Sequence, residues 1–172
     1  MEEREFTFLP KTLPSALTGC PSKDMLDVYI PATSEHAVLR IRKQGEKREI
    51  TKKVPVSGDD SSHMMEHTIP LSHEEYEVLV TLPGKRVAKK RYYYTEDGVD
   101  YEFDVFQEAL AGLVLVDVEF SSADTQSAFV LPQWCLADVT QEKFIAGGML
   151  SGKAYKDIEQ ELARFAYTPL FV

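Results

Sequence analysis

Like-signed charges recur two residues apart inside segments that otherwise alternate as β-strands do. Residues at i and i+2 of a strand project from one face of a sheet. Arg40/Arg42 and Lys89/Arg91 are purely basic pairs, and Glu3/Glu5, Glu102/Asp104 and Asp117/Glu119 are purely acidic. The opposite faces of the same strands are apolar, as in Leu39/Ile41, in Val99, Tyr101, Phe103 and Val105, and in Val114, Val116, Val118 and Phe120. A sandwich with its apolar faces inside and its charges in water is the ordinary arrangement for such strands. A solvated face usually mixes signs, however, because neighbouring like charges gain nothing from one another. Sorting by sign describes a binding surface, with bases for an anion and acids for a cation. A closed barrel satisfies it when the charged faces point inward and helices cover the apolar outer faces.

Period-two patterning gives eight strands, over Glu3–Leu9, Met25–Ile30, Ala37–Lys43, Lys47–Val54, Met64–Ile69, Lys85–Tyr94, Val99–Phe106 and Val114–Ser121. Gly45 and Asp97-Gly98 read as tight hairpin turns. Ser72-His73-Glu74-Glu75 is a capping box opening a helix. Further helices are expected after Ser121-Ser122-Ala123-Asp124, near Thr140 with Asp138-Val139-Thr140 as its cap, and over Ser151–Phe165. The expectation is a mainly β (α+β) protein. It is a closed eight-stranded antiparallel barrel with helices packed outside, one domain over residues 1–172.

The inward acids of that barrel are Glu3, Glu5, Glu66, Glu102, Asp104, Asp117 and Glu119, and the inward bases are Arg40, Arg42, Lys53, Lys89 and Arg91. Buried charges must be paired or must hold a ligand. An empty cavity lined in this way is expected to suffer repulsion within each set. Carboxylates without Cys/His spacing favour a hard cation, Mg2+ or Mn2+, over zinc. Arginine forks and lysines suit phosphate oxygens. His63 and His67 lie in a polar loop leading into a strand, which argues against a zinc site. No P-loop or dinucleotide fingerprint occurs.

The net charge of −9 argues against a nucleic-acid partner, and no apolar run is long enough to span a bilayer. The acidic start MEEREF has no signal-like apolar core. Cys20 and Cys135 have no motif spacing, so reduced thiols and a cytoplasmic location are expected.

At these same pairs the sequence resembles the CYTH superfamily, the triphosphate tunnel metalloenzymes. That family opens with ExExK, matched by Glu3-Arg4-Glu5-Phe6-Thr7 except at its lysine. An LRxR-like strand is matched by Leu39-Arg40-Ile41-Arg42, a TxK strand by Thr51-Lys52-Lys53, and a KxR strand by Lys89-Lys90-Arg91. Glu102-Phe103-Asp104-Val105-Phe106, Asp117-Val118-Glu119 and Asp138-Val139-Thr140 match the remaining segments in order. The likeness runs from Glu3 to about Ile158.

The resemblance implies a tunnel holding a linear small-molecule triphosphate. It also implies Mg2+ or Mn2+ on Glu3, Glu5 and Glu119, and phosphates on Arg40, Arg42, Lys53, Lys89 and Arg91. Glu5, Lys89 and Arg91 are the expected catalytic residues, through cation binding and stabilisation of charge on the transferring phosphoryl group. The expected reaction is metal-dependent hydrolysis of a small triphosphate. A class IV adenylyl cyclase and a non-catalytic polyphosphate or nucleotide binder are the alternatives. Thr7 brings no positive charge where the family has lysine, which bears on any step needing that lysine.

Overall fold

In the computed structural model, which describes residues 1–172, β1 (Glu2–Pro10) is the seam of a barrel. It pairs with β8 (Val114–Phe120) along Arg4–Phe8 and with β5 (His63–Pro70) along Glu2–Arg4. From β5 the circuit runs through β4 (Lys47–Pro55), β3 (Leu39–Gln44), β2 (Ser22–Ile30), β6 (Lys85–Glu96) and β7 (Val99–Phe106) back to β8. Every pairing is antiparallel. Closure satisfies the backbone groups that an open sheet would leave at its edges. The hairpin between β6 and β7 turns on Asp97 (φ 52°) and Gly98 (φ 78°), the left-handed pair that a two-residue turn requires.

A ninth strand, β9 (Cys135–Asp138), was not expected from the sequence; it pairs with the far end of β1, where the register slips between Leu9 and Pro10. Helix α1 (His73–Leu79) starts at the Ser72 capping box as expected. Helix α2 (Ala123–Ser127) is capped reciprocally by Ser122 and Thr125. No helix begins at Thr140. Asp138 Oδ1 instead accepts the Thr140 N–H at 2.9 Å and its hydroxyl at 2.5 Å, a turn at the end of β9. Helical backbone resumes with a single 3-10 turn over Lys143–Ile145 and continues in α3 (Gly147–Leu150), and α4 (Tyr155–Ala163) occupies the middle of the span expected for the last helix.

The outward faces of β1, β6, β7 and β8 form an apolar cluster built on Phe8, Tyr92, Phe103, Val116 and Val118. Phe129 and Trp134, from the segment after α2, cover it; Trp134 lies 5.0 Å from Tyr101 and 5.1 Å from Phe103, ring to ring. The larger cluster lies at one end of the barrel. Leu9, Tyr29, Val87, Phe106 and Leu115 continue the inward face beyond the charged positions of their strands, and they pack with Phe144, Leu150, Ile158 and Leu162. The inward face thus changes from charged to apolar along the barrel axis. The stripe on α4 joins this end cluster rather than lying over the outer wall. Burying such side chains is worth about 1.5–3 kcal/mol each, which fixes the C-terminal segment to the barrel end.

Candidate active site

The barrel encloses a cavity of about 790 Å³, lined by 35 residues of which 8 are hydrophobic. All the inward acids and bases expected from the sequence line it: Glu3, Glu5, Arg40, Arg42, Lys53, Glu66, Lys89, Arg91, Glu102, Asp104, Asp117 and Glu119. The strand alternation that puts them there leaves Leu39, Ile41, Phe103, Val116 and Val118 outside the lining.

The acids and bases do not stand apart in repelling sets, as the sequence suggested. They neutralise one another. Lys53 Nζ lies 2.6 Å from Glu3, 3.2 Å from Glu5 and 3.7 Å from Glu66. Arg91 holds Asp104 with Nε and Nη2, both at 2.6 Å, reaches Asp117 at 3.2 Å, and pairs with Glu102. Lys89 donates to Asp104 as well. Arg42 closes a two-point fork on Asp27 of β2, with Nε–Oδ1 at 2.7 Å and Nη2–Oδ2 at 2.8 Å. Arg40 and Glu119 alone among the expected residues have no ion-pair partner. The Arg40 Nε is buried without a hydrogen bond.

These pairings set the protonation of the cavity. Burial pushes the Asp27 carboxyl up, but the Arg42 charge and fork outweigh it and leave it at about 2. Burial likewise opposes ionisation of Asp104, and Arg91 and Lys89 together hold it well below the usual carboxylate range. Burial followed by the charge of Asp104 pushes Asp117 up. Burial pushes Glu102 up despite Arg91, and desolvation with the like charges of Glu3 and Glu5 pushes Glu119 up. Lys53 is disfavoured as an ion by burial, yet Glu5 and Glu3 raise it above its ordinary value.

The donor set is hard oxygen. No group of three or more His, Cys, Asp or Glu side chains converges to hold a metal ion. Glu3, Glu5 and Glu66 converge on Lys53 instead. Glu3 Oε2 lies 2.6 Å from that ammonium but makes no aligned hydrogen bond, so it keeps lone-pair capacity. Glu3, Glu5, Glu66 and Glu119 offer the hard oxygen donors that a divalent cation prefers. Asp104, also expected among the metal ligands, has its oxygens taken up by Arg91 and Lys89 and is a buried counter-ion in this geometry.

A CYTH domain model matches residues 18–127. The chain belongs to the CYTH domain family. This CYTH domain is 34% identical over 146 residues to an inorganic triphosphatase from Nitrosomonas europaea, covering 83% of this chain and 92% of that protein. A crystal structure of an inorganic triphosphatase superimposes with a TM-score of 0.62 at 30% identity, covering 87% of this chain and 93% of the other. A conserved protein of Pyrococcus furiosus shares the fold, with a TM-score of 0.51 at 22% identity, covering 73% of this chain and 83% of that one.

Several residues of this CYTH domain's cavity escaped the sequence reading. Asp27, buried behind the lining as the partner of Arg42, is the lone acid in the apolar run Met25–Ile30, a pattern that marks a buried charge with a partner elsewhere. Lys47 and Glu49 pair at 2.7 Å along one face of β4, and a mixed pair at i and i+2 looks like an ordinary solvated face. Tyr29 reaches the cavity from the apolar end of β2, and Thr140 and Lys143 from the C-terminal segment, which no strand pattern places.

Proposed function

We propose that this CYTH domain hydrolyses linear inorganic triphosphate within the barrel, with Mg2+ or Mn2+ as cofactor. Water attacks a terminal phosphorus, one P–O–P bond breaks, and pyrophosphate and orthophosphate leave. The observation that carries the reading is the state of Arg40. It is a cavity arginine with no acidic partner and a buried, unpaired Nε, beside bases already balanced by carboxylates. An anion is the group such a side chain lacks.

Arg40 leads in binding the phosphate chain. Arg42 keeps Nη1 free of its fork on Asp27 and adds a second point of contact. Lys89 and Arg91 hold Glu102, Asp104 and Asp117 in place, and would stabilise charge on the transferring phosphoryl group once substrate draws them off those carboxylates. Glu3, Glu5 and Glu119, with Glu66 beside them, would hold the divalent cation. A cation held there would supply Lewis-acid chemistry, drawing charge from the phosphate oxygens and lowering the pKa of the attacking water. Glu102 and Asp117 stand at paired positions on β7 and β8 and border the same space.

The 34%-identical relative is an inorganic triphosphatase, which supports this reading over the cyclase. No helix is long and apolar enough to cross a membrane.

The test is phosphate release from tripolyphosphate, ATP and thiamine triphosphate with Mg2+, Mn2+ or chelator. Metal-dependent release from tripolyphosphate well above that from ATP is expected. Cyclic AMP formed from ATP would favour the cyclase, and binding without any turnover would favour a sensor.

A further inference from the structure

Lys53 lies where the cation would be expected. Its ammonium is 2.6 Å from Glu3, 3.2 Å from Glu5 and 3.7 Å from Glu66, and the nearest stretch of β1 and β5 offers these carboxylates no other cation. The four side chains keep only 15–25% of their surface accessible, so bulk water cannot replace the ammonium at little cost. The arrangement is set by strand register. Lys53 faces Glu66 across the β4–β5 pair, and Glu3 enters from β1 through the short β1–β5 contact that closes the barrel. Meanwhile Arg40, on the strand next to β4, has no acid within ion-pair distance and a buried Nε without a hydrogen bond.

We propose that Lys53 is a resident counter-ion. A divalent cation binds Glu3, Glu5 and Glu119, with Glu66 beside them, only by displacing it, and the freed ammonium turns to the triphosphate beside Arg40. Cation loading and the assembly of the phosphate site are then one exchange. In the empty barrel Lys53 offsets part of the charge of Glu3, Glu5 and Glu66, the cation alone binds weakly because it must evict an internal rival, and the triphosphate assists by offering Lys53 a new partner. The coupling is reciprocal, as any equilibrium coupling between two ligands must be. The proposal rests on the cation site assigned under the proposed function, and it adds a role for Lys53 before substrate arrives.

Mn2+ binding, followed by the electron paramagnetic resonance of free Mn2+ with no anion present, tests the exchange. Lys53→Met should bind Mn2+ more tightly than the wild type, by about tenfold or more, within the usual range of site-to-site coupling. Mn2+ alone should also raise the melting temperature of Lys53→Met more than that of the wild type. Glu3→Gln should weaken Mn2+ binding in both backgrounds. If Lys53→Met binds Mn2+ no better than the wild type while Glu3→Gln still weakens binding, the exchange is wrong and the metal assignment stands. If Glu3→Gln changes nothing in either background, the cation site lies elsewhere and both fall. Should three unpartnered carboxylates keep Lys53→Met from folding, the wild type decides alone. The Lys53 ammonium 15N signal must move as Mg2+ saturates the protein, and a signal that stays in place overturns the exchange.

Discussion

The Thr7 hydroxyl donates to Asp117 Oδ1 across 2.8 Å, at the point of the β1–β8 pair where the two residues face each other. Thr7 therefore points into the cavity, at the position where the family carries lysine. A lysine there would add a charge within reach of the phosphate chain. Thr7→Lys is expected to tighten tripolyphosphate binding roughly tenfold, about 1.4 kcal/mol, measured by calorimetry with Ca2+ so that the anion is not consumed. Unchanged or weaker affinity would mean that Asp117 and Glu5 capture the new ammonium.

Glu5 faces Glu119 across the same strand pair, with Glu3 two residues away on the same face. Glu5→Gln keeps the shape and removes one negative donor. Turnover of tripolyphosphate should fall by roughly a hundredfold or more, the scale for losing one preorganised electrostatic contact. Circular dichroism should show an unchanged fold. Wild-type turnover in this variant would remove Glu5 from the mechanism.

The Asp27–Arg42 fork makes a prediction about acid. The Asp27 carboxyl is held at about 2 against an ordinary 3.8, a folded-state preference for the ion of about 2 kcal/mol. Its pKa is depressed on folding, so the stabilisation is present above about pH 4 and is lost as pH falls toward 2. At pH 7, Asp27→Asn should cost about 3–5 kcal/mol, because Arg42 is left buried and unpaired. The gap between wild type and variant should narrow by about 2 kcal/mol between pH 4 and pH 2 in urea titrations. A gap that stays constant over that range would show that the pair does not titrate as a unit.

At the apolar end, Gly147 packs against Tyr29 so closely that a β-carbon would overlap the tyrosine hydroxyl. Gly147→Ala should cost about 1–3 kcal/mol through overpacking. That corresponds to a melting temperature lower by roughly 2–12 °C for a chain of this size. Removing the hydroxyl in a Gly147→Ala/Tyr29→Phe double variant should recover part of the loss. A single variant as stable as the wild type would show that α3 is free to move off the barrel end.

Much of this architecture was legible because a strand has a period of two, and a charged interior makes that period visible twice, once as apolar residues and once as sorted charges. Arg40/Arg42 and Glu102/Asp104 needed no partner information to be placed on one inward face. Their mutual pairing was not legible. Whether Arg91 meets Asp104 or a ligand depends on the β6–β7 register, in which those two residues stand opposite each other. β9 is four residues long, carries no charged pair and exists only because the end of β1 offers it an edge. The stripe on α4 was readable, but the surface it meets was not, since an amphipathic helix fits an outer wall and a barrel end equally well.

The account stands most directly on a thermal shift. Tripolyphosphate with Ca2+, at a hundred times its dissociation constant, should stabilise the folded barrel by about 2.7 kcal/mol. That raises the melting temperature by roughly 5–10 °C. Orthophosphate at equal concentration should do much less, and Arg40→Ala should lose most of the tripolyphosphate shift under the same conditions. A shift that Arg40→Ala retains in full, that orthophosphate equals, or that moderate salt screens away would contradict a triphosphate bound inside the tunnel.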